Sequence, residues 1–377
     1  MSLKKICVVT WVDGINYGTV LQAYALTKYL QSLGYEIDFL KTINSKSYYI
    51  KYPNVVIDRL IFRFVNRTEY VENINDREFI RKQKKVFDRF RQEKFNFVEI
   101  NNYSELCNFE KKYVAVIVGS DQLWNPYHYH PMYFLNFVKR TKKIAYSPSL
   151  GVSHLSNRIK LKYKKYLKDF TAIGVREKQG AKLLQPIASI PIKTNIDPVM
   201  LLDNSEWNEL VNESNYDIPK KPYMLFYLVE DNSYYIEYIK RVYLIYNVCV
   251  VLIPMHKMDV KLEYLKIEKN VSPDGFLKLI SNAEIVFTDS FHASCFSILF
   301  KREFYILKRF KDENPKSENS KIYNLLSEFG LEDRLIESDF NIMKNIDYDS
   351  LGDKLSELRK KSYVFLNNAI GKESEIV

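Results

Sequence analysis

The amino-acid sequence predicts an α/β protein made of two parallel-sheet domains in tandem, with a cleft between them. Three observations support this fold class. The chain has 377 residues, well above the common size of a single domain. Short apolar runs alternate with helical patterns in both halves of the chain. Several of these runs end in polar loops, as buried parallel strands do at the sheet edge where ligands bind.

The first half opens with a strand, a helix and a second strand. Residues 5–10 are predicted to form a strand around an apolar run, and the helical pattern of 18–33 ends before Gly34, a typical C-terminal cap. From about residue 41 to 103 the sequence is basic and aromatic, and we expect a helical insertion there. The other elements predicted in this half are strands at 35–40, 113–118, 143–147 and 172–175, and helices at 77–93, at 157–169 and from 176 onwards.

The second half repeats the alternation. The sequence Asp197-Pro198-Val199 interrupts the pattern, and we place the end of the first domain there. We therefore predict an acceptor-side domain at residues 1–198 and a donor-side domain at 199–348, followed by a helix within 349–377 that crosses back to the first domain. The elements predicted in this half are strands at 223–228, 248–253, 285–288 and 304–307, and helices at 233–246, 273–282, 293–300 and 350–367.

Composition and charge narrow the class of protein. With 46% hydrophobic and 27% charged residues, the chain is an ordinary folded protein rather than a disordered or collagen-like one. The net charge of +10 suggests nucleic acid, an anionic membrane surface or a phosphate-bearing substrate as partner. The four cysteines lie far apart, which excludes a CxxC zinc or redox site. Neither a leader peptide nor a membrane-spanning run is apparent, and we expect a cytoplasmic protein.

The loop after the first strand carries Asn16, Tyr17, Gly18 and Thr19 at the start of a helix. Exposed amide groups and the positive end of the helix dipole favour an anion or a hydroxyl there, and Gly18 permits close approach. The loop lacks the spacing of a dinucleotide or Walker motif. A plain N-cap turn is the alternative interpretation.

The loop after the strand at 113–118 contains Ser120, Asp121 and Gln122. A simple turn does not require so many polar side chains. Asp121 could accept a proton from a sugar hydroxyl, since a carboxylate needs only to reach the O–H group. Alternatively, Asp121 caps a following helix.

Two further strands end in candidate residues. The strand at 172–175 ends in Arg176, whose guanidinium suits a carboxylate or a phosphate. Arg176 could instead pair structurally with Glu177 or another acid. The strand at 285–288 leads to His292 at the start of a helix, where an imidazole lies beside backbone amides and can transfer protons near neutral pH. An isolated histidine is also often structural.

Taken together, these loops resemble the polysaccharide pyruvyl transferases. The resemblance rests on short motifs in shared order across most of the chain. These motifs lie at residues 16–26 (NYGTVLQAYAL), 118–125 (VGSDQLWN), 143–147 (KIAYS), 174–177 (GVRE), 197–199 (DPV), 288–293 (TDSFHA) and 329–334 (FGLEDR).

The resemblance implies a fold similar to that of the GT-B glycosyltransferases, with two Rossmann-like domains facing one another. It also implies transfer of a pyruvyl group from phosphoenolpyruvate onto two hydroxyls of a sugar, giving a cyclic ketal and phosphate. The sugar would belong to a surface polysaccharide or to its lipid-linked precursor. None of these steps calls for a metal ion, and we expect no cofactor besides the donor substrate.

Residue by residue, Arg176 resembles the arginine that holds the donor in this family, and His292 resembles its active-site histidine. Some members carry Arg-Leu immediately before that histidine, where this chain has Ser290 and Phe291. One donor-binding cation is therefore missing from its usual place. Lys321 stands where related sequences often have arginine, and we expect it to supply charge instead.

The residue types agree with this chemistry. The donor carries a phosphate and a carboxylate, which Arg176 and the helix start formed by Ser290, His292, Ala293 and Ser294 would bind. We expect His292 to donate or relay the proton to the enol carbon. We expect Asp121 to orient or deprotonate the acceptor. The acceptor-binding residues predicted are Asn16, Tyr17, Gly18, Thr19, Ser120 and Gln122.

Two other functions remain open at this stage. A glycosyltransferase that uses a nucleotide sugar would share the two-domain cleft. A non-catalytic binder of nucleic acid or an anionic surface would fit the charge and the 29 tyrosines and 23 phenylalanines, but no RNA- or DNA-binding motif accompanies them and we expect no nucleic-acid partner. The basic helices at 77–94 and 158–168 are either solvated faces or docking faces for the anionic inner membrane.

Overall fold

The structure is a computed structural model that describes residues 4–43, 77–127, 129–230, 233–246, 248–255, 265–308, 319–336 and 345–371. Every strand pair in these residues is parallel, and the strands form two separate sheets. The predicted α/β class with two Rossmann-like units is therefore confirmed. Most of the predicted insertion, residues 44–76, lies outside the described residues.

The first sheet has seven strands. They are β1 Lys4–Val9, β2 Tyr35–Ile43, β3 Asn96–Ile100, β4 Ala115–Val118, β5 Lys142–Tyr146, β6 Ala172–Val175 and β7 Ile192–Thr194. Their order in the sheet is β3-β2-β1-β4-β5-β6-β7. The order therefore reverses between β1 and β4, and ligands of open parallel sheets bind at the carboxyl ends of such a pair.

The second sheet has six strands. They are β8 Tyr223–Tyr227, β9 Cys249–Ile253, β10 Lys266–Ile267, β11 Ile285–Thr288, β12 Glu303–Leu307 and β13 Leu335–Ile336. Their order is β10-β9-β8-β11-β12-β13, which reverses between β8 and β11. The residues that follow β11 consequently lie at the switch point of this sheet.

Helices connect the strands of both sheets. They are α1 Tyr17–Ser32, α2 Arg77–Lys94, α3 Tyr103–Asn108, α4 Asn157–Leu167, α5 Lys178–Leu184, α6 Asn204–Glu213, α7 Ser233–Tyr246, α8 Pro273–Asn282, α9 Phe291–Leu299, α10 Asn319–Phe329 and α11 Tyr348–Ile370. The sequence did not predict α3, α6 and α10, nor the strands β3, β7, β10 and β13. None of these strands is a clear apolar run, because the first three contain charged or amide side chains and β13 has only two residues.

The two halves share an apolar core. Helix α1 of the first half packs against α8 and α9 of the second half, and one continuous cluster of buried side chains extends from one sheet to the other. The ring of Tyr17 lies stacked on Phe276, with 4.3 Å between ring centroids. This contact fixes the start of α1 against the second half. The two halves are therefore packed against one another at the start of α1.

The last helix, α11, packs against the first half. Its Ser362 hydroxyl accepts a hydrogen bond from the backbone amide of Ile196 at 3.2 Å, and Tyr363 stacks on Tyr29 with 4.7 Å between ring centroids. The Lys142 ammonium donates to the carbonyl of Ile370, the last residue of the helix, at 2.7 Å. The domain limits at residues 198 and 348 stay predictions.

Candidate active site

Asp121 follows β4 at the switch point of the first sheet and has a strained backbone. Its φ is +80°, in the left-handed region that non-glycine residues rarely occupy. The Thr19 hydroxyl donates to Asp121 Oδ2 at 2.6 Å, and the Gln122 amide donates to Oδ1 at 2.8 Å. Residues 121–127 form turns rather than a helix, and the N-cap alternative for Asp121 is therefore wrong. Each of the two carboxylate oxygens can accept a further hydrogen bond.

Asp197, which follows β7, joins several candidate residues. Its Oδ2 accepts from the Ser120 hydroxyl at 2.7 Å and from Arg176 Nη1 at 3.0 Å, and lies 3.6 Å from His292 Nε2. The side chain of Asp197 is fully buried. Burial alone would raise the pKa of this carboxyl, but His292, Arg176 and Ser120 outweigh burial and hold the pKa well below its usual value. Asp197 is therefore an ionised group at the centre of the cluster.

Arg176 is held on three sides. Besides Asp197, its guanidinium contacts Glu177 Oε1 through Nε at 3.3 Å and lies over the ring of Phe291, 4.4 Å from the centroid. Burial would lower the pKa of Arg176, but the charges of Glu177 and Asp197 outweigh it and raise the pKa above its usual value. The structural pairing with Glu177 is thus real. Nη2 makes no hydrogen bond to any residue that the structure describes.

His292 is the second residue of α9 and lies against Gly18 of α1. A β-carbon at Gly18 would lie 2.0 Å from His292 Nδ1, so only glycine leaves room for the imidazole. The Ser290 hydroxyl caps α9 by accepting from the Ala293 amide at 3.4 Å. His292 Nε2 is buried and makes no hydrogen bond within the described part of the chain, and its nearest charged partner is Asp197.

The structure places the other predicted residues differently. Tyr17 is only 1% exposed and its hydroxyl donates to the Val271 carbonyl at 3.1 Å, so it contacts the second half rather than the open cleft. Gln122 is buried and accepts from Asn125 at 3.0 Å. The side chain of Asn16 caps α1 by accepting from the Thr19 amide at 3.1 Å, which is the plain N-cap arrangement.

Two donor-side predictions lie off the cluster around Asp197. Lys321 lines a small cavity at the ends of β11 and β12, together with Asp289 and Tyr323. Ser294 is buried, and its hydroxyl donates to the Ser290 carbonyl at 2.9 Å. Ala293 is also buried, so neither of these two side chains is exposed to a ligand.

Sequence reasoning missed Asp197 and Glu177 as site residues. The sequence Asp197-Pro198 indicated only a break, because the three-residue strand β7 that precedes it was not recognised. A strand there would have placed Asp197 in a loop at the same sheet edge as Asp121 and Arg176. Glu177 was considered only as a structural partner.

Comparison with known families now identifies the chain. The model of the polysaccharide pyruvyl transferase family matches residues 16–309, which is more than half of the protein. The chain belongs to this family and is a transferase of polysaccharide pyruvylation. No curated protein sequence matches the chain.

Solved structures resemble the chain at low sequence identity. Arabidopsis thaliana UGT89C1, solved with quercetin, is 8% identical with a TM-score of 0.50, covering 98% of this chain and 99% of its own. A UDP-N-acetylglucosamine 2-epimerase from Rickettsia bellii is 11% identical with a TM-score of 0.47, covering 100% of this chain and 99% of its own. At such identities a likeness concerns the fold alone, and the likeness to UGT89C1 together with the two parallel sheets supports the GT-B arrangement of two Rossmann-like domains.

Among the described residues, no helix combines the length and the apolar character needed to span a bilayer. Likewise, the described histidine, cysteine, aspartate and glutamate side chains include no group of three arranged to hold a metal ion.

Proposed function

We propose that this protein transfers the pyruvyl group of phosphoenolpyruvate onto two hydroxyls of one sugar, forming a cyclic ketal and releasing phosphate. One observation carries the proposal. Residues from both halves of the chain, Ser120 and Arg176 from the first and His292 from the second, converge on the single carboxylate of Asp197. Family membership supports the same reaction class.

The donor would bind between Arg176 and the start of α9. Phosphoenolpyruvate is an anion with a carboxylate and a phosphate, and a guanidinium fork next to helix amides suits both groups. Asp197 and Glu177 neutralise much of the charge of the Arg176 guanidinium, but its Nη2 group is left for a ligand. Lys321 would add positive charge from the neighbouring cavity.

The reaction requires one proton to be delivered to phosphoenolpyruvate and one proton to be removed from each of the two sugar hydroxyls. His292 would protonate C3 of phosphoenolpyruvate, which leaves a carbocation-like centre at C2. One sugar hydroxyl attacks C2 and loses its proton to Asp121. The bond from C2 to the phosphate oxygen then breaks, and the second hydroxyl attacks C2 and transfers its proton to the departing phosphate or to a base. The products are a methyl ketal carboxylate and inorganic phosphate.

The acceptor would bind on the first-half side of the cleft, near Asp121 and Thr19. Because Thr19 donates to one oxygen of Asp121, the carboxylate is oriented before the sugar arrives. The acceptor class is a saccharide of a surface polysaccharide or of a lipid-linked precursor. Galactose, glucose and N-acetylmannosamine units are the candidates to compare.

The test is phosphate release from phosphoenolpyruvate, measured with each candidate saccharide and followed by mass spectrometry of the saccharide. We expect a mass increase that corresponds to a carboxyethylidene ketal. The variant His292→Ala should lower the rate at least 100-fold, the usual scale for loss of a general acid. His154→Ala, an exposed histidine outside the cluster, is the matched control and should not change it.

A second variant tests whether Asp121 is the base that deprotonates the acceptor. Asp121→Asn should abolish most turnover while phosphoenolpyruvate still raises the melting temperature, because a bound ligand stabilises the folded state. Full turnover by Asp121→Asn would exclude Asp121 as the base. A melting temperature raised by nucleotide sugars and not by phosphoenolpyruvate would favour a glycosyltransferase instead.

Contact with an anionic membrane is a separate proposal about the same protein. Helix α4 carries several lysines, and its Leu161 is 66% exposed, so one face combines positive charge with an apolar side chain. A lipid-linked acceptor would be found at such a surface. Flotation with liposomes that contain anionic lipid should carry the protein upward, and flotation that is independent of anionic lipid would refute the contact.

A further inference from the structure

The loop that follows β1, residues 11–14, is fixed by side chains from two helices. Gln22 of α1 donates to the Trp11 carbonyl at 3.4 Å. Arg91 of α2 donates through Nη1 to the carbonyls of Val12 at 3.1 Å and Gly14 at 2.8 Å. The loop therefore has a defined shape at the switch point of the first sheet.

The buried side chain of Arg91 helps to hold this loop in place. Arg91 is only 5% exposed, and its carboxylate partner is Asp88 at 2.5 Å. Removing a guanidinium from water is costly unless its N–H groups find acceptors, and the loop carbonyls supply them. The backbone that carries Trp11 and Asp13 is consequently positioned before any ligand binds, and of these two residues Trp11 is partly exposed and Asp13 is exposed.

Tyr133 completes an aromatic wall next to this loop. The rings of Trp11 and Tyr133 meet edge to face, with centroids 6.1 Å apart and planes at 85°. The amide of Gln22 that donates to the Trp11 carbonyl also donates to the Thr19 carbonyl at 2.9 Å, and the Thr19 hydroxyl in turn donates to Asp121 at 2.6 Å. The loop that carries Trp11 therefore lies beside Asp121, and the aromatic wall and Asp121 are parts of one neighbourhood.

The sign of the charge decides which substrate this neighbourhood suits. The carboxylates of Asp13 and Asp121 repel an anion such as phosphoenolpyruvate, whereas the guanidinium of Arg176 attracts it. A neutral sugar brings hydroxyl donors that carboxylates accept and a ring of C–H groups that aromatic faces cover. The surroundings of Asp13 and Asp121, together with the aromatic wall, therefore suit a neutral sugar better than the anionic donor.

We propose that Trp11, Asp13 and Tyr133 form the subsite that receives the acceptor sugar, an uncharged pyranose placed next to Asp121. This proposal rests on the proposed pyruvyl transfer, in which the sugar is the acceptor of the pyruvyl group. It replaces Tyr17 as the aromatic residue of the acceptor site, since the Tyr17 ring lies in the core.

The tryptophans of the chain allow a direct binding test. There are three, and Trp124 and Trp207 are both fully buried, so Trp11 is the partly exposed one. Titration of the wild type with galactose-, glucose- and N-acetylmannosamine-containing oligosaccharides should change the intrinsic fluorescence saturably for at least one of them. Phosphoenolpyruvate alone should leave the emission unchanged. The variant Trp11→Phe should lose the response while its circular dichroism and melting temperature match the wild type.

Kinetics test the same subsite without fluorescence. Trp11→Ala should raise the KM for the acceptor at least 10-fold and leave the KM for phosphoenolpyruvate within about twofold, and Asp13→Asn should raise the acceptor KM about threefold or more. Tyr35→Ala, a partly exposed aromatic at the amino edge of the same sheet, is the matched control and should change neither.

The outcomes separate this proposal from the proposed function. An unchanged acceptor KM in Trp11→Ala, or an equal rise of both KM values, overturns the subsite while wild-type turnover still supports pyruvyl transfer. Saturable quenching of Trp11 by a saccharide, without any phosphate release from phosphoenolpyruvate, supports the subsite and overturns the proposed reaction.

Discussion

The carboxyl edges of the two sheets contribute to the candidate site in different ways. At the edge of the first sheet, charged and polar side chains contact one another: Arg176 contacts Glu177 and Asp197, and Thr19 donates a hydrogen bond to Asp121. The edge of the second sheet contributes His292 at the start of a capped helix. His292 lies near two groups of the first half, Gly18 and Asp197.

The position of His292, which the edge of the second sheet contributes, therefore depends on residues of the first half. The imidazole of His292 is positioned by the shape of α1 on one side and by a carboxylate on the other. Changes in the first half should therefore alter the chemistry expected of a residue in the second half. The following predictions test this dependence, in order of decreasing expected effect.

Removing the charge of Asp197 should have the largest effect. Asp197→Asn leaves Arg176 with one fewer carboxylate and His292 without its charged neighbour, and the loss of a partner from a buried ion pair costs about 3–5 kcal/mol. We expect the free energy of unfolding in urea to fall by that amount and kcat to fall about 100-fold or more. Asp353→Asn, at an exposed position of α11, is the matched control and should change neither quantity measurably.

The same carboxylate should make stability depend on pH. The pKa of Asp197 is lowered in the folded protein, so its ionised form stabilises the fold above the unfolded pKa of about 4, and this stabilisation is lost as the pH falls below that value. We expect the urea midpoint of the wild type to drop more steeply than that of Asp197→Asn between pH 5 and pH 3. Parallel curves for the two proteins would contradict the lowered pKa.

A methyl group at Gly18 should have the next largest effect. The added carbon would overlap the His292 ring, so either the imidazole or α1 must move, at a cost of about 1–3 kcal/mol. We expect Gly18→Ala to lower kcat at least 10-fold because a misplaced proton donor is a poor one. Gly352→Ala is the matched control: that glycine lies in α11, nothing would contact its β-carbon, and activity should stay unchanged.

Shortening Phe291 should have a smaller effect that is confined to the donor. The variant Phe291→Leu removes the ring over which Arg176 lies, a contact worth about 0.5–2 kcal/mol. We expect the KM for phosphoenolpyruvate to rise about 3- to 10-fold with little change in kcat. Phe291→Tyr keeps the ring and should behave like the wild type. An unchanged KM in Phe291→Leu would mean that the carboxylates alone position Arg176.

The smallest effect should come from the hydroxyl of Tyr17. Tyr17→Phe removes its hydrogen bond to Val271, but Gln83 still donates to that carbonyl at 2.7 Å. We therefore expect a loss of about 1 kcal/mol in the free energy of unfolding and unchanged acceptor KM. A large rise in acceptor KM would show that Tyr17 binds the sugar after all. Tyr35→Phe provides a comparison at the opposite edge of the sheet.

Much of the fold follows from local patterns. The runs at 113–118 and 285–288 predicted buried strands because a strand covered on both faces needs only apolar residues. Asp121, Arg176 and His292 were found as candidates since each follows such a strand. Asp197 was not found, because the edge strand before it has three partly exposed residues and no apolar run.

By itself, the sequence determined the fold class, the family and the loops that carry the candidate residues, because helix and strand periodicity and short motifs depend on neighbours within a few positions. Only the tertiary structure decided the partners. Ser120 meets Asp197 across 77 positions, Thr19 meets Asp121 across 102 and Tyr17 meets Val271 across 254. Such contacts depend on strand order and on how the two sheets pack together, and no local pattern records either.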